Sequence, residues 1–413
     1  MARRVVVTGM GTVSPLGSNV QDFWRAVKAG ENGIGMIDRF DTTDFTAKIA
    51  GQARDFSPER VLGTKEARRM DRFTQFAMVA SIEAMADAKL ASGQASSERF
   101  GVILGNGIGG IETLEAQAWR VREKGPKAMH PLFVPMMISN EAAGNVAIRF
   151  QAWGPCSVVV TACASSNDAI GHAWNIIREG SADVMIAGGT EAPLTPLGLG
   201  GFCQLQAVST RNADPEHASR PFDKDRDGFV MSEGSGVLVL EELEHAKGRG
   251  ATIYAELAGY AATCDANHLT APHPAGRGAI RAMKMAIAAG GLTPADVDYV
   301  NAHGTSTPIN DPIETMAIKA VFGDGARKVK VSSTKSMHGH LLGAAGGVEA
   351  IVSIMAIRDQ FFPPTRNLDT PDAACDLDYV PHKGYGGRIR AAISNALGFG
   401  GHNSVLLFRE YKE

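Results

Sequence analysis

The residue with the most evident chemical use is a cysteine placed between a strand and a helix. Residues 157–161 form a β-branched, strand-like run, Cys163 follows it, and small residues at 164–166 open a helical pattern. At the amino end of a helix, unpaired N–H groups and the macrodipole favour a thiolate over a thiol. Cys163 is therefore a candidate nucleophile, although a free cysteine is as often a small buried hydrophobe. The other cysteines lack this context: Cys156, Cys203, Cys264 and Cys375.

A second polar cluster surrounds a histidine near the end of a predicted strand. His303 lies in residues 301–308, where an apolar run gives way to a loop containing Gly and Pro. The carboxyl ends of parallel strands form the edge at which α/β folds bind ligands. Thr305, Ser306 and Thr307 add hydroxyl groups that suit a polar tether better than a metal. A single histidine is more often structural, but this crowding of polar groups indicates function.

A third stretch, residues 332–349, holds a lysine, two histidines and a glutamate. Lys335 and Glu349 are too far apart in sequence to pair across one helical turn, although they could meet if a loop folds back. Spacing alone does not decide between His338 and His340 as the functional histidine. Neither suits a zinc site without further ligands.

These stretches need a scaffold that brings them together. Short apolar runs bounded by Gly or Asn alternate with longer helical patterns, which indicates an α/β fold with a mainly parallel sheet. Strands are predicted at residues 5–7, 101–104, 156–161, 184–187 and 236–240, and helices at 22–29, 70–90 and 164–178.

The second part of the chain repeats this order. The runs at 254–257, 298–301 and 329–332 correspond to those at 5–7, 101–104 and 156–161, and residues 233–240 resemble residues 400–407. We therefore expect a duplicated architecture. Its N-terminal half, 1–250, carries the nucleophile, and its C-terminal half, 251–413, carries the two histidines. The third stretch is then the counterpart of the cysteine turn, and both should border one pocket.

Length and composition limit the class of protein. At 413 residues the chain exceeds the size of one compact core. With 41 basic and 44 acidic residues, its formal net charge is -3, so no overall field favours nucleic acid or an anionic membrane. It has no apolar stretch long enough to span a bilayer. Its 5 cysteines include no Cys-x-x-Cys motif, which argues against a disulfide framework or a zinc knuckle. We expect a cytoplasmic protein without nucleic-acid or membrane partners.

Together with residues 398–403, Gly-Phe-Gly-Gly-His-Asn, the three stretches resemble the motifs of the β-ketoacyl-acyl-carrier-protein synthases. The resemblance runs from Val5 to Phe408 and is strongest to the elongating type, synthase II. It implies a thiolase-like fold in which two similar halves stack as five α/β layers, usually in a homodimer. It also implies an acyltransferase of fatty acid elongation, which condenses an enzyme-bound acyl group with malonyl-acyl carrier protein to give 3-oxoacyl-acyl carrier protein, CO2 and free carrier. No cofactor is expected to be bound, because phosphopantetheine arrives on the carrier.

The resemblance assigns catalytic roles to Cys163, His303, His340, Lys335 and Glu349. Cys163 would be acylated, and the two histidines would hydrogen-bond the malonyl thioester carbonyl. His340 is preferred to His338 because it directly follows the glycine of a Lys-Ser-x-x-Gly-His pattern. Lys335 and Glu349 match a supporting ion pair, and the N–H groups of Cys163 and Phe399 would form an oxyanion hole.

The resemblance also assigns binding residues. An apolar acyl channel is expected from Ile108, Phe133, Met137, Phe202 and Phe399, with Phe133 lining the channel of the other subunit. Core packing explains each of these residues equally well when it is taken singly. The phosphopantetheine tunnel would be lined by Thr270, Thr305 and Thr307. Asn301, Ser394 and Asn395 lie where some relatives hold a structural monovalent cation, and no other metal is expected.

A basic cluster stands out from the slightly acidic chain: Lys65, Arg68, Arg69 and Arg72. A run of charge is usually a solvated face. Acyl carrier proteins are acidic, so the resemblance makes this cluster a docking surface for the carrier. Several relatives carry a further basic residue where this chain has Gln206, so docking should depend more on the first cluster.

Other functions share parts of this pattern. A degradative thiolase needs a second cysteine near the carboxyl end, but residues 398–403 contain none and Cys375 lies elsewhere. A cysteine hydrolase would leave the lysine and histidine motif without a role. The intact Cys163 excludes a non-catalytic chain-length subunit. The remaining alternative is a ketosynthase of the same chemistry dedicated to a polyketide or another specialised chain, because only pocket shape would differ.

Overall fold

The computed structural model describes residues 3–90 and 95–412. Its strands are β1 (Val5–Val13), β2 (Ile34–Met36), β3 (Ile49–Gly51), β4 (Phe100–Gly105), β5 (Cys156–Val159), β6 (Val184–Glu191), β7 (Gly234–Glu242), β8 (Ala255–Cys264), β9 (Tyr299–Asn301), β10 (Lys330–Ser332), β11 (Phe361–Phe362), β12 (Tyr385–Gly386), β13 (Ala391–Gly398) and β14 (His402–Arg409). Its helices are α1 (Val20–Ala29), α2 (Glu59–Leu62), α3 (Thr64–Ala67), α4 (Arg72–Ala88), α5 (Ile111–Lys124), α6 (Phe133–Met137), α7 (Glu141–Phe150), α8 (Ser165–Arg178), α9 (Pro196–Gln204), α10 (Leu243–Gly248), α11 (Arg277–Ala289), α12 (Asn310–Phe322), α13 (Lys335–His338) and α14 (Ala345–Asp359).

The largest sheet has an internal symmetry. Its order is β5-β4-β6-β7-β1-β8-β14-β13-β9-β10. Read inward from each edge, the five strands of one half follow the same order as their counterparts in the other half. The halves join where β1 and β8 pair antiparallel, with Val5 opposite Leu257. The correspondences predicted between the halves are therefore confirmed: β8 matches β1, β9 matches β4, β10 matches β5 and β14 matches β7. The boundary at residue 250 stays a prediction.

The sheet is mixed, so the expectation of a mainly parallel sheet is wrong. Strands β5, β4 and β6 run parallel at one edge, as do β10, β9 and β13 at the other. The central pairs are antiparallel. The pair of β13 and β14 must be antiparallel, because a tight turn joins these two strands.

The predicted lengths of two elements also change in the structure. The strand predicted at 5–7 continues to Val13. A Cβ atom added at Gly11 would lie 1.9 Å from the Ala80 carbonyl oxygen, so glycine is needed where β1 meets α4. The helix predicted at 70–90 begins at Arg72, because the Asp71 carboxylate caps it by accepting from the Phe73 N–H.

Three apolar cores show how the layers stack. Side chains of α4 and α7 pack on one face of β4, β6 and β7, and side chains of α11 and α12 pack on β9, β13 and β14. Between the two half-sheets, α8 and α14 share a single core with the opposite faces of both. Alternate residues of each strand point to opposite faces, so each half-sheet contributes to two cores. The result is the expected five-layered arrangement of helix, sheet, helix, sheet and helix.

The two helices of the middle layer begin in the same way. A single 3-10 turn precedes each one, Ala162–Ala164 before α8 and Leu342–Ala344 before α14. Each turn opens with a residue in the left-handed region, Ala162 at φ 50° and Leu342 at φ 48°. Cys163 and Gly343 therefore occupy equivalent positions in the two halves. The Ser166 hydroxyl donates to the Gly343 carbonyl, so the two turns are in contact.

Two further properties bear on the expectations from the sequence. None of the helices formed by residues 3–90 and 95–412 has both the length and the apolar character needed to cross a membrane. Each cysteine of the chain is a free thiol, with Cys156 and Cys264 exposed and the other three buried.

Candidate active site

The turn that carries Cys163 is fixed by close backbone packing. The Ser165 hydroxyl donates to the Ala162 carbonyl at 2.6 Å and lies 3.3 Å from the Asn106 carbonyl oxygen. A Cβ atom added at Gly105 would lie 2.3 Å from the Ser165 carbonyl carbon, so only glycine lets β4 approach the turn. The sulfur is thereby held in place at the amino end of α8.

The two predicted histidines face each other across one cavity. His303 follows β9, and His340 follows α13. Their ring centroids lie 5.3 Å apart with an angle of 85° between the planes. Both rings line a cavity of about 320 Å³, and Cys163 and Phe399 line the same cavity. The sulfur from the N-terminal half and the imidazoles from the C-terminal half therefore meet in one space.

Burial keeps both imidazoles neutral. Desolvation lowers the pKa of His303 and of His340 well below the usual value, and the positive charge of Lys335 lowers both further. The Leu342 N–H donates to His340 Nδ1 at 3.3 Å, so the proton of that ring is on Nε2. Nδ1 of His303 is buried and has no hydrogen-bond partner among the described residues. A neutral ring with a free N–H can donate to a developing oxyanion without acting as a strong acid.

His338 has a different environment from His340. Its ring lies within hydrogen-bond distance of the Gly339 carbonyl at 2.8 Å and of the Thr334 hydroxyl at 3.1 Å. It is fully buried and does not line the cavity. The geometry therefore agrees with the choice of His340 over His338.

Lys335 and Glu349 form a buried ion pair. The chain between them folds back, which is the condition under which the sequence allowed them to meet. Burial raises the pKa of Glu349 to about 7, against the lowering effect of the Lys335 ammonium group. Lys335 also lowers the pKa of the Cys163 thiol and of both cavity histidines. One ammonium group thus acts on each of the three reactive side chains.

The environment of the Cys163 sulfur favours the thiol, which corrects the expectation of a resting thiolate. Burial raises the pKa of this thiol to about 12, although Lys335 and the Phe399 N–H act in the opposite direction. The charge of Glu191 raises the pKa further. Desolvation outweighs the contribution of the helix end because the side chain is almost fully buried.

The Phe399 turn packs against the turn that carries Cys163. The Phe399 backbone N–H lowers the pKa of the Cys163 thiol. A Cβ atom added at Gly398 would lie 2.7 Å from the Thr161 carbonyl oxygen and 3.3 Å from the Cys163 nitrogen. The Gly398–Phe399 turn and the cysteine turn are therefore in backbone contact, which brings the Phe399 N–H close to the Cys163 sulfur.

The predicted binding residues divide into two groups. Phe202, Phe399, Thr270, Thr305 and Thr307 line the cavity. The Thr305 and Thr307 hydroxyls are 3.0 Å apart on its wall.

Three predicted acyl-channel residues do not line this cavity: Ile108, Phe133 and Met137. Ile108 is 37% exposed. Its loop nevertheless packs on the Met137 segment, because the Gly110 N–H donates to the Met137 carbonyl at 2.9 Å.

Several residues at the site carry no signal in the sequence. The Glu314 carboxylate accepts from the backbone N–H groups of His303 and Gly304, both at 2.8 Å, and so fixes the histidine loop. Arg226 donates to the carbonyls of Thr307 and Pro308 and holds the threonine wall. Two more such residues are Phe229, which packs edge-on against the His340 ring, and Glu191. Their partners are mostly backbone groups, which residues of any type can supply, so no local motif could reveal them.

The basic cluster loses one member in the structure. Lys65, Arg68 and Arg69 are exposed. Arg72 is not, because its guanidinium group forms an ion pair with buried Glu233 at 2.7 Å and packs over the ring of Phe76. Assigning Arg72 to the docking surface was therefore wrong, and its role is to anchor α4.

The residues of the possible cation site present unpartnered oxygen atoms. Among the described residues, Asn301 Oδ1, Ser394 Oγ, Asn395 Oδ1 and Glu349 Oε2 are buried without a hydrogen-bond partner. Asn301 and Ser394 are register partners on adjacent parallel strands and so share one face. Asn395 follows Ser394 on β13, so its side chain points to the opposite face, where it donates to Glu314. Neutral oxygens such as those of Asn301 and Ser394 fit a hard cation of low charge.

Comparison with known proteins covers both halves of the chain. The family profile described as "Beta-ketoacyl synthase, N-terminal domain" matches residues 2–246. The profile described as "Beta-ketoacyl synthase, C-terminal domain" matches residues 254–369.

Full-length relatives and solved structures agree with these profiles. The chain is 53% identical over 410 residues to the 3-oxoacyl-[acyl-carrier-protein] synthase 2 of Synechocystis, and the match covers 99% of each chain. It is 51% identical to the protein of the same name in Staphylococcus aureus, again over 99% of each. A crystal structure of a β-ketoacyl synthase from Burkholderia phymatum superposes with a TM-score of 0.92 at 36% identity, over 99% of this chain and 100% of that chain. A type II polyketide ketosynthase, solved with its acyl-carrier protein, superposes over 100% of both chains with a TM-score of 0.93 at 38% identity.

Proposed function

Because the chain belongs to the β-ketoacyl synthase family, we propose that it catalyses the condensing step of fatty acid elongation. It transfers an acyl group from acyl carrier protein to Cys163 and condenses it with malonyl-acyl carrier protein. The products are 3-oxoacyl-acyl carrier protein, CO2 and free carrier. The observation that carries this proposal is the single cavity bordered by Cys163, His303, His340 and Phe399.

The first half-reaction exchanges one thioester for another. The Cys163 sulfur attacks the acyl carbonyl carbon, the bond to the phosphopantetheine sulfur breaks, and the proton of the Cys163 thiol ends on the released carrier thiol. The oxyanion formed during attack is stabilised by the N–H groups of Cys163 and Phe399. Removing one such donor typically costs about 2.7 to 4 kcal/mol of transition-state stabilisation.

The second half-reaction begins with decarboxylation. The bond between the malonyl methylene carbon and its carboxylate breaks, and the electron pair passes into an enolate whose negative charge lies on the thioester oxygen. His303 and His340 are neutral because burial lowers the pKa of each. They donate hydrogen bonds to this oxygen without protonating the carbanion.

The carbanion then attacks the acyl carbonyl carbon on Cys163. A carbon–carbon bond forms, the carbon–sulfur bond breaks, and Cys163 leaves as a thiolate that takes up a proton. The Lys335 charge lowers the pKa of this sulfur, which favours its departure. Lys335 and Glu349 are therefore proposed to orient the neighbouring side chains and to supply charge near them, without touching the reacting carbon atoms.

Substrate binding follows the two sides of the cavity. The hydroxyls of Thr270, Thr305 and Thr307 are proposed to bind the phosphopantetheine arm. Phe202 and Phe399 would receive the acyl chain, which continues past Ile108 and Met137, with Phe133 contributing to the other subunit. The chain needs no bound cofactor in this scheme, because phosphopantetheine is part of the substrate.

The carrier is proposed to dock on an exposed basic surface defined by Lys65, Arg68 and Arg69. An acidic partner would be steered to such a surface by charge complementarity. A relative of similar fold was solved in complex with its acyl-carrier protein. We also propose a homodimer, because the edge strand β5 and the adjoining Val160 and Trp153 are exposed. An exposed edge strand next to apolar side chains is a template for pairing with a second copy.

A structural monovalent cation is a further part of the proposal. Asn301 and Ser394, which share one face of the sheet, would hold it together with Glu349 through their unpartnered oxygens, whereas Asn395 lies on the other face. Such an ion would contribute positive charge beside the Lys335–Glu349 pair. We also propose a cytoplasmic location, because the cysteines are all free, as is usual in a reducing compartment.

An assay with purified carriers tests the function. Acyl carriers of graded chain length are mixed with malonyl carrier, and CO2 release and product length are followed. We expect each saturated acyl chain to be extended once, by two carbon atoms, and released as the 3-oxoacyl carrier. Repeated extension to a poly-keto chain would favour the alternative, a ketosynthase of a specialised pathway, and absence of CO2 release with every carrier would contradict both.

A further inference from the structure

One buried carboxylate close to Cys163 has no part in the reaction described above. Glu191 is the last residue of β6 and is fully buried. Of the described residues, none supplies a cation to it, and its partners are backbone N–H groups. A buried charge without a counter-ion is costly, so its retention calls for a specific role.

The N–H groups bound by Glu191 come from both halves of the molecule. Its Oε2 atom accepts from Gly107 at 2.7 Å and from Gly343 at 2.9 Å, and its Oε1 atom accepts from Ile108 at 3.1 Å. Gly107 and Ile108 belong to the loop after β4, and Gly343 belongs to the turn before α14. One side chain therefore bridges the two segments.

The two glycines leave no room for anything larger. A Cβ atom added at Gly107 would lie 2.8 Å from Glu191 Oε2, and one added at Gly343 would lie 2.6 Å from the same atom. A Cβ atom at Gly343 would also lie 2.5 Å from the Gly107 nitrogen. The loop and the turn are thus in backbone contact, with the carboxylate filling the space between them.

Each bridged segment is in turn connected to the reacting groups. The loop at residues 106–110 accepts from the Ser165 hydroxyl beside the nucleophile and donates to the Met137 carbonyl. The turn holds the His340 ring through the Leu342 N–H. A displacement of either segment would therefore be felt by the other through Glu191.

We propose that Glu191 is a positioning residue that clamps the Ile108 loop to the turn after His340, so that acyl-chain accommodation and malonyl decarboxylation are coupled through it. This inference rests on the proposed function, since it assigns the Ile108 loop to the acyl channel and His340 to decarboxylation. Burial raises the pKa of Glu191 to about 7, so the strength of the clamp would also change near neutral pH.

Glu191→Gln tests the clamp with little change in shape. A glutamine has one acceptor oxygen and an NH2 group, so it cannot accept hydrogen bonds from all three N–H groups. Its NH2 group would also face a backbone N–H, and two donors cannot bond to each other. We expect CO2 release from malonyl carrier to fall about tenfold or more, because a buried N–H is left unsatisfied. The ratio of acyl transfer from long and short carriers to Cys163, read by intact mass spectrometry, should also change.

Glu83→Gln is the matched control. Burial raises the pKa of Glu83 to about 7 as well, and its carboxylate accepts from the backbone N–H groups of Val20 and Thr12. Unlike Glu191, it binds neither the loop after β4 nor the turn before α14. We expect this variant to change the two half-reactions by less than about twofold, the scatter of independent sites.

A double-mutant cycle separates coupling from general damage. Ile108→Ala should alter both the chain-length ratio and CO2 release when Glu191 is present. In the Glu191→Gln background it should alter only the chain-length ratio, because the connection to His340 is lost. The proposal would be overturned if the effect of the double variant on CO2 release equals the product of the two single effects to within about twofold. Equal effects of Glu191→Gln and Glu83→Gln would overturn it as well.

The wild-type enzyme supplies a second measurement if Glu191→Gln does not fold. Hydrogen exchange is followed in peptides that contain residues 106–110 and 341–346, with Cys163 free and with Cys163 carrying a long acyl chain. We expect the protection of both peptides to change together on acylation. A change confined to the first peptide would overturn the coupling, whereas a wild-type protein that forms no acyl-enzyme would contradict the proposed function instead.

Discussion

At the scale of single residues, burial decides the chemistry of the cavity. Desolvation keeps His303 and His340 neutral and holds Cys163 as a thiol. Neutral imidazoles are what the decarboxylation requires. The thiol must lose its proton when the acyl thioester arrives, and the departing carrier thiolate is the group that receives it. Lys335 is the nearby positive charge that lowers the pKa of the sulfur.

The pKa of Cys163 predicts how it reacts with iodoacetamide. With a pKa of about 12, the thiolate fraction rises tenfold for each unit of pH, so alkylation should accelerate without a plateau between about pH 6 and pH 9. Lys335→Met should slow alkylation at every pH in this range, because removing the ammonium group raises the pKa of the thiol. Peptide mass spectrometry measures both rates.

Exposed Cys264 in the same samples is the internal reference for reagent activity. A rate for Cys163 that levels off below about pH 8 would show a resting thiolate and contradict this account of the site.

The residues proposed to react carry a signal in the sequence, but the residues that support them do not. Cys163, His303 and His340 lie in short motifs that can be seen in a single sequence. Glu191 and Glu314 bind backbone N–H groups rather than side chains. Any residue type can supply such donors, so the sequence leaves no trace of them. For Arg72 the sequence pattern was misleading. This residue belongs to a basic run, but it forms an ion pair with buried Glu233.

At the scale of elements, the middle layer sets the position of the site. Helices α8 and α14 begin at the contact between the cysteine turn and the Gly343 turn. Their packing depends on close approaches, as at Gly171 of α8, where an added Cβ atom would lie 2.2 Å from the Tyr260 ring. That ring cannot move freely, because the Tyr260 hydroxyl donates to Asp168 at 2.9 Å.

Gly171→Ala should therefore destabilise the protein despite the higher helix propensity of alanine. Overpacking costs about 1–3 kcal/mol, more than the gain of up to about 1 kcal/mol from replacing glycine within a helix. Chemical denaturation measures the change in the free energy of unfolding.

Gly144→Ala in α7 is the matched control, because an added Cβ atom there meets only the end of the Glu141 side chain, at 3.8 Å. It should be neutral or stabilising by up to about 1 kcal/mol. Equal stability of the two variants would contradict the packing described for the middle layer.

The elements themselves were predicted with uneven success. The strands around β4, β5, β9 and β10 follow from apolar runs that are bounded by glycine or polar residues. The full length of β1 was missed because Gly9 and Gly11 interrupt the apolar pattern, although the strand needs them to pack on α4. The mixed direction of the sheet was missed because pairing direction depends on connections between the elements, and periodicity does not report those.

At the scale of the whole molecule, duplication brings different chemistry to one place. The equivalent positions of the two halves hold Cys163 and Gly343. One half supplies the nucleophile, and the other supplies a bare backbone that lets Glu191 and the Ile108 loop approach. The carrier must then reach a cavity between the halves, so the surface around its entrance also belongs to the function.

Charge reversal of the exposed basic surface tests carrier docking. Arg68→Glu with Arg69→Glu should raise the KM for carrier-bound substrates by about tenfold, because like charges replace complementary ones and each lost contact is worth up to about 1 kcal/mol. The rate with small acyl thioesters should not change.

The paired change Arg281→Glu and Lys284→Glu on exposed positions of α11 alters net charge equally and serves as the control. If both pairs raise the KM to the same extent, or if small thioesters are affected as strongly as carriers, docking at residues 65–69 is refuted.

The most direct test of the central claim is to measure the two half-reactions separately in variants of the cavity. Acylation of Cys163 is read by intact mass spectrometry and malonyl decarboxylation by CO2 release. We predict that Cys163→Ala loses acylation and condensation but still decarboxylates. His303→Ala and His340→Ala should still be acylated but lose decarboxylation by about a hundredfold or more, whereas His338→Ala retains it. Condensation by Cys163→Ala, or equal losses in His340→Ala and His338→Ala, would contradict a mechanism in which one sulfur and two imidazoles act in a common cavity.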